Sequence, residues 1–357
     1  MASGKRGKGT GIPTLVLCVA LLFGGLAVGV AVPFAALGAE GGAVILMYHR
    51  FGEDRYPSTS IRLEQFEAHL AELKRKHYRV RPVAEIVADL RAGRPLAPYT
   101  VGITIDDAFA SVHSEAWPRL KAAGLPFTLF VATEPIDRRY KDMASWDDLR
   151  KMIAGGGVTI GNHSVRHAHM ATFSPAAVRE ELEQAAARLT PELGAKHTLL
   201  AYPYGEFGLA TRNAAVGMGF QAAFGQHSGA IGAQSDPFAL PRFPLNERYG
   251  SLERLKEILR ALPLPVSNVK PAETLLTPAT NPPRFGFSVA EDAGPLKSLR
   301  CYLSGQGALT LEHPAPRRVE ALLPNPLPPG RSRINCTLPA PEGRFRWFGQ
   351  QFYLPAP

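Results

Sequence analysis

The feature that most constrains this chain is a pair of adjacent carboxylates at the end of an apolar run. Val101, Ile103 and Ile105 alternate with small or polar residues, as in a buried strand, and Asp106 and Asp107 follow at once. Side chains alternate along a strand, so neighbouring aspartates cannot point the same way unless the backbone turns there. Two like charges so close also raise each other's cost of ionising. A metal or a reaction that uses both offsets that cost. The structural alternative is a helix cap, with Asp106 or Asp107 capping a helix that begins near Ala110.

A second stretch, His163-Ser164-Val165-Arg166-His167, follows the strand-like run Val158-Thr159-Ile160-Gly161. Imidazoles at i and i+4 lie on one face of a helical turn and can grip one cation. Such a pair alone is more often a surface or capping feature. Combined with an Asp pair after another strand, it has the composition of a metal site: two nitrogens, one oxygen and one open position. A third stretch, Ala201-Tyr202-Pro203-Tyr204-Gly205, follows the strand-like Thr198-Leu199-Leu200. In this order the three stretches resemble the motifs of the polysaccharide deacetylases of the NodB-homology type, carbohydrate esterase family four. The resemblance covers roughly Ala43 to Leu262. The chain departs from the pattern twice: Ala201 replaces the arginine of the third motif, and Ala108 replaces the glycine after the aspartates.

The resemblance implies a distorted (β/α) barrel with its groove at the C-terminal ends of the strands. It also implies a role for each motif residue. Asp107, His163 and His167 would hold a divalent metal, zinc by ligand type, which polarises an acetamide and acidifies a water. Asp106, beside the metal, would be the general base. The backbone N–H of Tyr204 would meet the oxyanion. The family uses a histidine to protonate the leaving amine, but no late Leu-x-His motif is present. His49 and His227 both stand at expected strand ends and are the two candidates. Arg242, in Leu240-Pro241-Arg242, ends another strand and would supply the guanidinium missing at Ala201. His77, His169 and His197 read as ordinary surface histidines. Asp147 and Asp148 read as capping residues of a helix after Ser145.

The implied function is metal-dependent removal of N-acetyl groups from a GlcNAc-containing glycan: a chitooligosaccharide, poly-GlcNAc or peptidoglycan. The alternatives are an esterase acting on O-acetyl groups and an inactive, glycan-binding relative. The intact Asp-His-His set argues against the inactive relative. The sequence gives no reason to expect nucleic acid as a partner.

Strand-like and helical runs alternate from Ala43 to Leu259, which calls for parallel strands with helices outside. Before them, Lys5, Arg6 and Lys8 precede a charge-free apolar run from Ile12 to Leu37, with a small-residue site at Ala36-Leu37-Gly38-Ala39. Residues 1–39 therefore read as a cleaved export signal or as an uncleaved membrane anchor. Either one places the remainder in the periplasm or outside. Prolines crowd residues 263–283, which read as a stiff linker. Short alternating runs over residues 284–357 then suggest a small antiparallel β unit. Cys301 and Cys336 both lie in it, and in an exported chain they are expected to pair. Phe345, Trp347, Phe348 and Tyr353 are either a sugar-stacking platform or the core of that unit, with core preferred. Cleavage would remove Lys5, Arg6 and Lys8 and take the net charge from +9 to 9 − 3 = +6, and that basic charge suits an anionic wall or membrane surface.

Overall fold

One sheet holds eight parallel strands: a two-residue strand, Arg79–Val80, pairs with Thr100–Asp106 off the main path, and seven apolar runs make up the path itself. They are β1 (Ala43–Tyr48), β2 (Thr100–Asp106), β3 (Phe127–Val131), β4 (Val158–Asn162), β5 (Leu199–Ala201), β6 (Ala222–Phe224) and β7 (Phe243–Pro244). Their order across the sheet is β7-β1-β2-β3-β4-β5-β6. Every residue of β1 and β2 is buried, as expected of parallel strands covered on both faces. The segment leading into β7 joins the two edges. Leu240 bridges to Phe224 of β6, and Phe243 pairs with Leu46 of β1. That segment closes the distorted barrel and carries Arg242 between the two contacts. The structure, a computed structural model, describes residues 41–194 and 197–357. The leader expected over residues 1–39 lies outside the described residues. Among the described residues, no helix is long and apolar enough to cross a membrane.

The helices lie where the periodicity puts them. Leu63–Leu73 turns Phe66, Leu70 and Leu73 into the core. Trp146–Ala154 begins with the expected cap: Ser145 Oγ accepts from the Asp148 N–H, and Asp148 accepts from the Ser145 N–H in return. The helix after the aspartates differs from expectation. Its first turn, Val112–Ala116, is a π-turn, and an α-helix follows over Trp117–Ala123. Pro118 lacks the N–H that an unbroken α-helix needs there.

The C-terminal strands form separate sheets. The hairpin of β12 (Gly330–Ala340) and β13 (Arg344–Leu354) is the longest pairing. Preceding it in the chain are β8 (Leu262–Pro263), β9 (Val266–Lys270), β10 (Phe285–Val289) and β11 (Arg300–Leu303), with further strands at Gly307–Ala308, Thr310–Glu312 and Arg318–Leu322. Phe285, Phe287, Leu338 and Phe352 are central to its core. Cys301 of β11 stands opposite Cys336 of β12, and the two are bonded. The expected linker is not a free spacer. β8 pairs with β13, β9 pairs with β10, and Leu264 and Leu276 are buried in the β core. Short edge strands tolerate the missing proline donors.

The described residues from Gly41 to Pro357 belong to one compact unit, and the β sheets rest directly on the barrel. Trp347 packs edge-on against Phe243, with ring centres 5.1 Å apart. A Cβ added to Gly349 would lie 2.0 Å from the Ser228 carbonyl oxygen, so only glycine allows β13 to approach this closely. The aromatic residues of the unit serve mainly as core. Phe348 stacks on Phe285 and meets Phe287 edge-on. Phe345 points outward, at 41% exposure. Tyr353 alone of the four reaches the groove.

Candidate active site

The turn after β2 resolves the problem posed by adjacent aspartates. Asp106 ends the strand in extended backbone, and Asp107 and Ala108 take left-handed conformations with φ of 74° and 59°. The backbone reverses, and both carboxylates reach the same groove. Left-handed geometry at alanine costs about 1 kcal/mol more than at glycine, and Ala108 meets that cost while fully buried. Neither aspartate caps the helical segment that begins at Ala110: the Ala110 N–H donates to the Asp142 carbonyl, and the Asp106 carboxylate accepts from Arg242.

The histidines converge differently from the helical turn expected of them. Residues 163–167 form a loop in which Ser164 and His167 are left-handed. Two residues hold that loop. Asn162 Oδ1 accepts from the Ser164 N–H at 2.8 Å, and Ser164 Oγ accepts from the His167 N–H at 3.1 Å. The two imidazoles meet edge to face, 4.8 Å apart. His163 Nε2 and His167 Nε2 stand 3.3 Å and 3.2 Å from Asp107 Oδ1.

These three residues fit a divalent cation. His163 Nδ1 lies 2.7 Å from the Ala201 carbonyl oxygen, which makes Nδ1 the donor and leaves Nε2 as a lone pair aimed at Asp107. That Nε2 is buried and has no hydrogen-bond partner among the described residues. The three ligand atoms lie within 4.8 Å of one another. Burial, reinforced by His163, holds His167 down to about 4, so it is the neutral imidazole a metal requires. Burial opposes the charge on Asp107, but His163 and His167 outweigh it and hold the carboxyl below its usual range. The position of the missing arginine thus still serves the site, because the Ala201 carbonyl orients a ligand.

Arg242 places a guanidinium on Asp106. Its Nη1 and Nη2 donate to the two oxygens of Asp106 at 2.6 Å and 2.8 Å, with both side chains fully buried. Its Nε donates to the Gly225 carbonyl at 2.9 Å, and Nη1 also donates to Thr104 Oγ1 at 3.2 Å. Burial alone would raise the Asp106 carboxyl. Arg242, with His163 and His49, outweighs burial and holds it below the usual range. His49 Nε2 lies 3.8 Å from Asp106 Oδ2.

His227 is not brought into this group. After β6 the chain bends at Gln226 and His227, and the His227 ring folds back so that Nδ1 would sit 2.6 Å from a Cβ on Gly225. The ring lies near Phe207 and lines a cavity of about 450 Å³ between barrel and β unit. Burial drives its pKa down to about 4.

Tyr204 is left-handed, with φ of 59°, and Gly205 follows with φ of 68°. A Cβ on Gly205 would fall 2.3 Å from the Gln226 nitrogen. The Tyr204 ring meets His167 edge-on at 4.4 Å. Sequence reasoning missed the residues around it. His169 is at the surface as read, with 49% of its side chain exposed, but it also stacks on Tyr204 at 4.3 Å and pairs with the buried Glu206 at 2.6 Å. The available signal was a third histidine two residues beyond His167 and a carboxylate directly after Gly205.

Asp106, Asp107, His163 and His167 all fall within the part of the chain that matches a known family. Residues 93–223 match the polysaccharide deacetylase family. The deacetylase match ends before His227 and Arg242 and begins after His49, so the places of those residues rest on geometry alone. The chain is 25% identical over 198 residues to the Bacillus subtilis (strain 168) protein named "Putative polysaccharide deacetylase YxkH", covering 56% of this chain and 69% of that one. The Streptococcus pyogenes deacetylase PplD, solved in complex with acetate, shares the fold at a TM-score of 0.58 and 20% identity. That alignment covers 62% of this chain and 99% of PplD. The structure of IcaB from Ammonifex degensii aligns at a TM-score of 0.54 and 26% identity, covering 62% of this chain and 98% of IcaB.

Proposed function

We propose that the protein hydrolyses the N-acetyl groups of a GlcNAc-containing glycan, outside the cytoplasm. The observation that carries this reading is the joint placement of the Asp107–His163–His167 triad and the Arg242-clamped Asp106 in one groove of a deacetylase barrel. The Cys301–Cys336 bond supports an oxidising compartment.

A divalent ion held by Asp107, His163 and His167, zinc by donor type, would supply Lewis acidity for the amide carbonyl and lower the pKa of water. The other roles belong to the chain itself. Asp106 accepts a proton from the attacking water as oxygen bonds to the carbonyl carbon. Arg242 fixes both Asp106 oxygens, so the base cannot rotate out of line, and keeps it ionised. The Tyr204 N–H donates to the oxyanion, its turn held by Gly205. As the C–N bond breaks, His49 gives a proton to the departing amine; His49 is the histidine that stands beside Asp106. Acetate and the free amine of the sugar result.

The test is acetate release from chitotetraose, poly-GlcNAc and peptidoglycan glycan strands, before and after chelation. Release that stops on chelation and returns with zinc or cobalt supports the reading. Release untouched by prolonged chelation refutes the metal, and no release from any of the three refutes the substrate class.

A further inference from the structure

The hairpin of β12 and β13 turns one face toward the barrel, and that face ends on the active-site turn. Arg331 and Arg333 share the face by the two-residue period of a strand. They stand opposite Tyr353 and Gln351 in the hairpin register. Each of the four touches a barrel loop. Gln351 Nε2 donates to the Tyr204 carbonyl at 3.2 Å. The Tyr353 ring lies parallel to His169, 5.6 Å away. Arg333 Nε donates to the Gln226 carbonyl at 3.1 Å. Arg331 donates to Glu206 at 3.3 Å, and its guanidinium carbon lies 5.2 Å from the centre of the Tyr204 ring. The far edge of that ring meets His167, so Arg331 is one aromatic ring away from the triad.

The charges on this wall do not balance. Glu206, with a side chain 1% exposed, pairs with Arg331 and also with His169. Among the described residues, Arg333 pairs with no carboxylate. Burial, together with repulsion from Arg331, pulls its pKa down to about 10. Two guanidiniums therefore face one carboxylate, and Arg331 keeps 36% of its side chain open to solvent. An excess of one charge matches a carboxylate; a phosphomonoester would bring about −1.5 to −2. The planar guanidinium fork also matches carboxylate geometry.

Resting on the deacetylase reading above, we propose that this wall is a subsite for a carboxylate on the sugar next to the one being deacetylated, with Arg331 and Arg333 binding the anion and Tyr353 packing against the sugar ring. The β unit is then part of the substrate groove, and the enzyme prefers acidic glycans over neutral ones.

The experiment compares three β-1,4 tetrasaccharides on the full chain: chitotetraose, the same backbone with a lactyl-ether carboxylate on alternate sugars, and the methyl ester of that compound. Calorimetry reads binding, and acetate release is measured in parallel. The acid is expected to bind about tenfold more tightly than its methyl ester at low salt, the value of one charge-assisted contact. High salt should shrink the ratio. Arg333→Gln should bring it close to one, and Arg331→Lys should keep part of it; methyl-ester binding reports whether each variant is folded. Equal affinity for acid and ester in the native protein overturns the proposal, as does a preference that survives Arg331→Gln with Arg333→Gln. Tighter binding of 6-phosphorylated chitotetraose than of the acid overturns the carboxylate assignment. Acetate release with a ratio of one removes the subsite alone. An intact ratio with no acetate from any oligomer removes the deacetylase reading and keeps a carboxylate site.

Discussion

Removing Arg242 should damage stability and rate together, and the size of each effect follows from its contacts. The guanidinium makes two hydrogen bonds to Asp106, one to Gly225 and one to Thr104, with no solvent access at either charged group. Arg242→Met leaves the Asp106 carboxylate buried beside His49 with its main counter-charge gone. Losing one partner of a buried ion pair costs roughly 3–5 kcal/mol. That is a large share of the ~5–15 kcal/mol that holds a typical domain folded. Asp106→Asn should cost a similar amount, because it leaves the guanidinium unpaired. The double variant should lose less than the two singles added, by roughly 1–3 kcal/mol, since the second change removes a charge the first had stranded. Arg242→Lys, which keeps charge but not the fork, should fall between native and Arg242→Met. Urea unfolding of the four proteins at pH 7 gives the cycle, and acetate release gives the rate. Arg242→Met should lose at least about 100-fold in rate, the low end of the worth of a positioned base, while retaining metal, because Arg242 touches none of the triad. Additive single effects, or native rate in Arg242→Met, would refute the claim that this arginine holds the base.

The Cys301–Cys336 bond closes a loop of 35 residues, and its loss in Cys301→Ser with Cys336→Ser should lower stability by about 4 kcal/mol on the chain-entropy model; an unchanged thermal midpoint would contradict this. His69 supplies an acid-sensitive element outside the triad. Its Nε2 lies 2.9 Å from the Gly250 carbonyl oxygen and its Nδ1 lies 3.0 Å from the Tyr48 hydroxyl, so the neutral ring is fully used. Burial lowers its pKa to about 4, against 6.5 in the unfolded chain. Between those values the unfolded state binds more protons, so stability is complete above pH 6.5 and falls as pH drops toward 4, by about 3 kcal/mol for this one group. Unfolding free energies at pH 7.5 and 4.5 measure the effect, and a slope unchanged in His69→Gln would show that His69 is not its source.

The barrel was legible because its signals are local. Continuous apolar runs marked β1 to β6, and helical periodicity marked the segments between them. The three motifs were legible for the same reason, since each sits in five or six consecutive residues. What the sequence hid depends on long-range geometry. Arg242 reaches Asp106 because the segment between Leu240 and Phe243 bridges both sheet edges; the sequence placed Arg242 at the end of a strand, whereas the strand begins after it, at Phe243. His49 and His227 looked equivalent as strand-end histidines. The bend at Gln226 and His227 turns one ring away, and no pattern within a few residues encodes that direction. The histidine loop kept the i, i+4 spacing but not the helix, because Asn162 and Ser164 tie it into left-handed turns. The contacts of Arg331, Arg333 and Gln351 were invisible, because their partners lie more than a hundred residues earlier in the chain.

The most direct test of the central claim is metal content and acetate release measured on the same preparations of Asp106→Asn and Asp107→Asn. Asp107→Asn should lose the metal, because an amide oxygen is a poorer ligand and carries no charge to offset the cation. Asp106→Asn should keep the metal and lose rate by roughly 10²–10⁴-fold, the usual weight of a general base. Metal lost in Asp106→Asn and kept in Asp107→Asn would reverse the two roles. If both variants keep metal and rate, the aspartate pair has no part in catalysis and the deacetylase account falls.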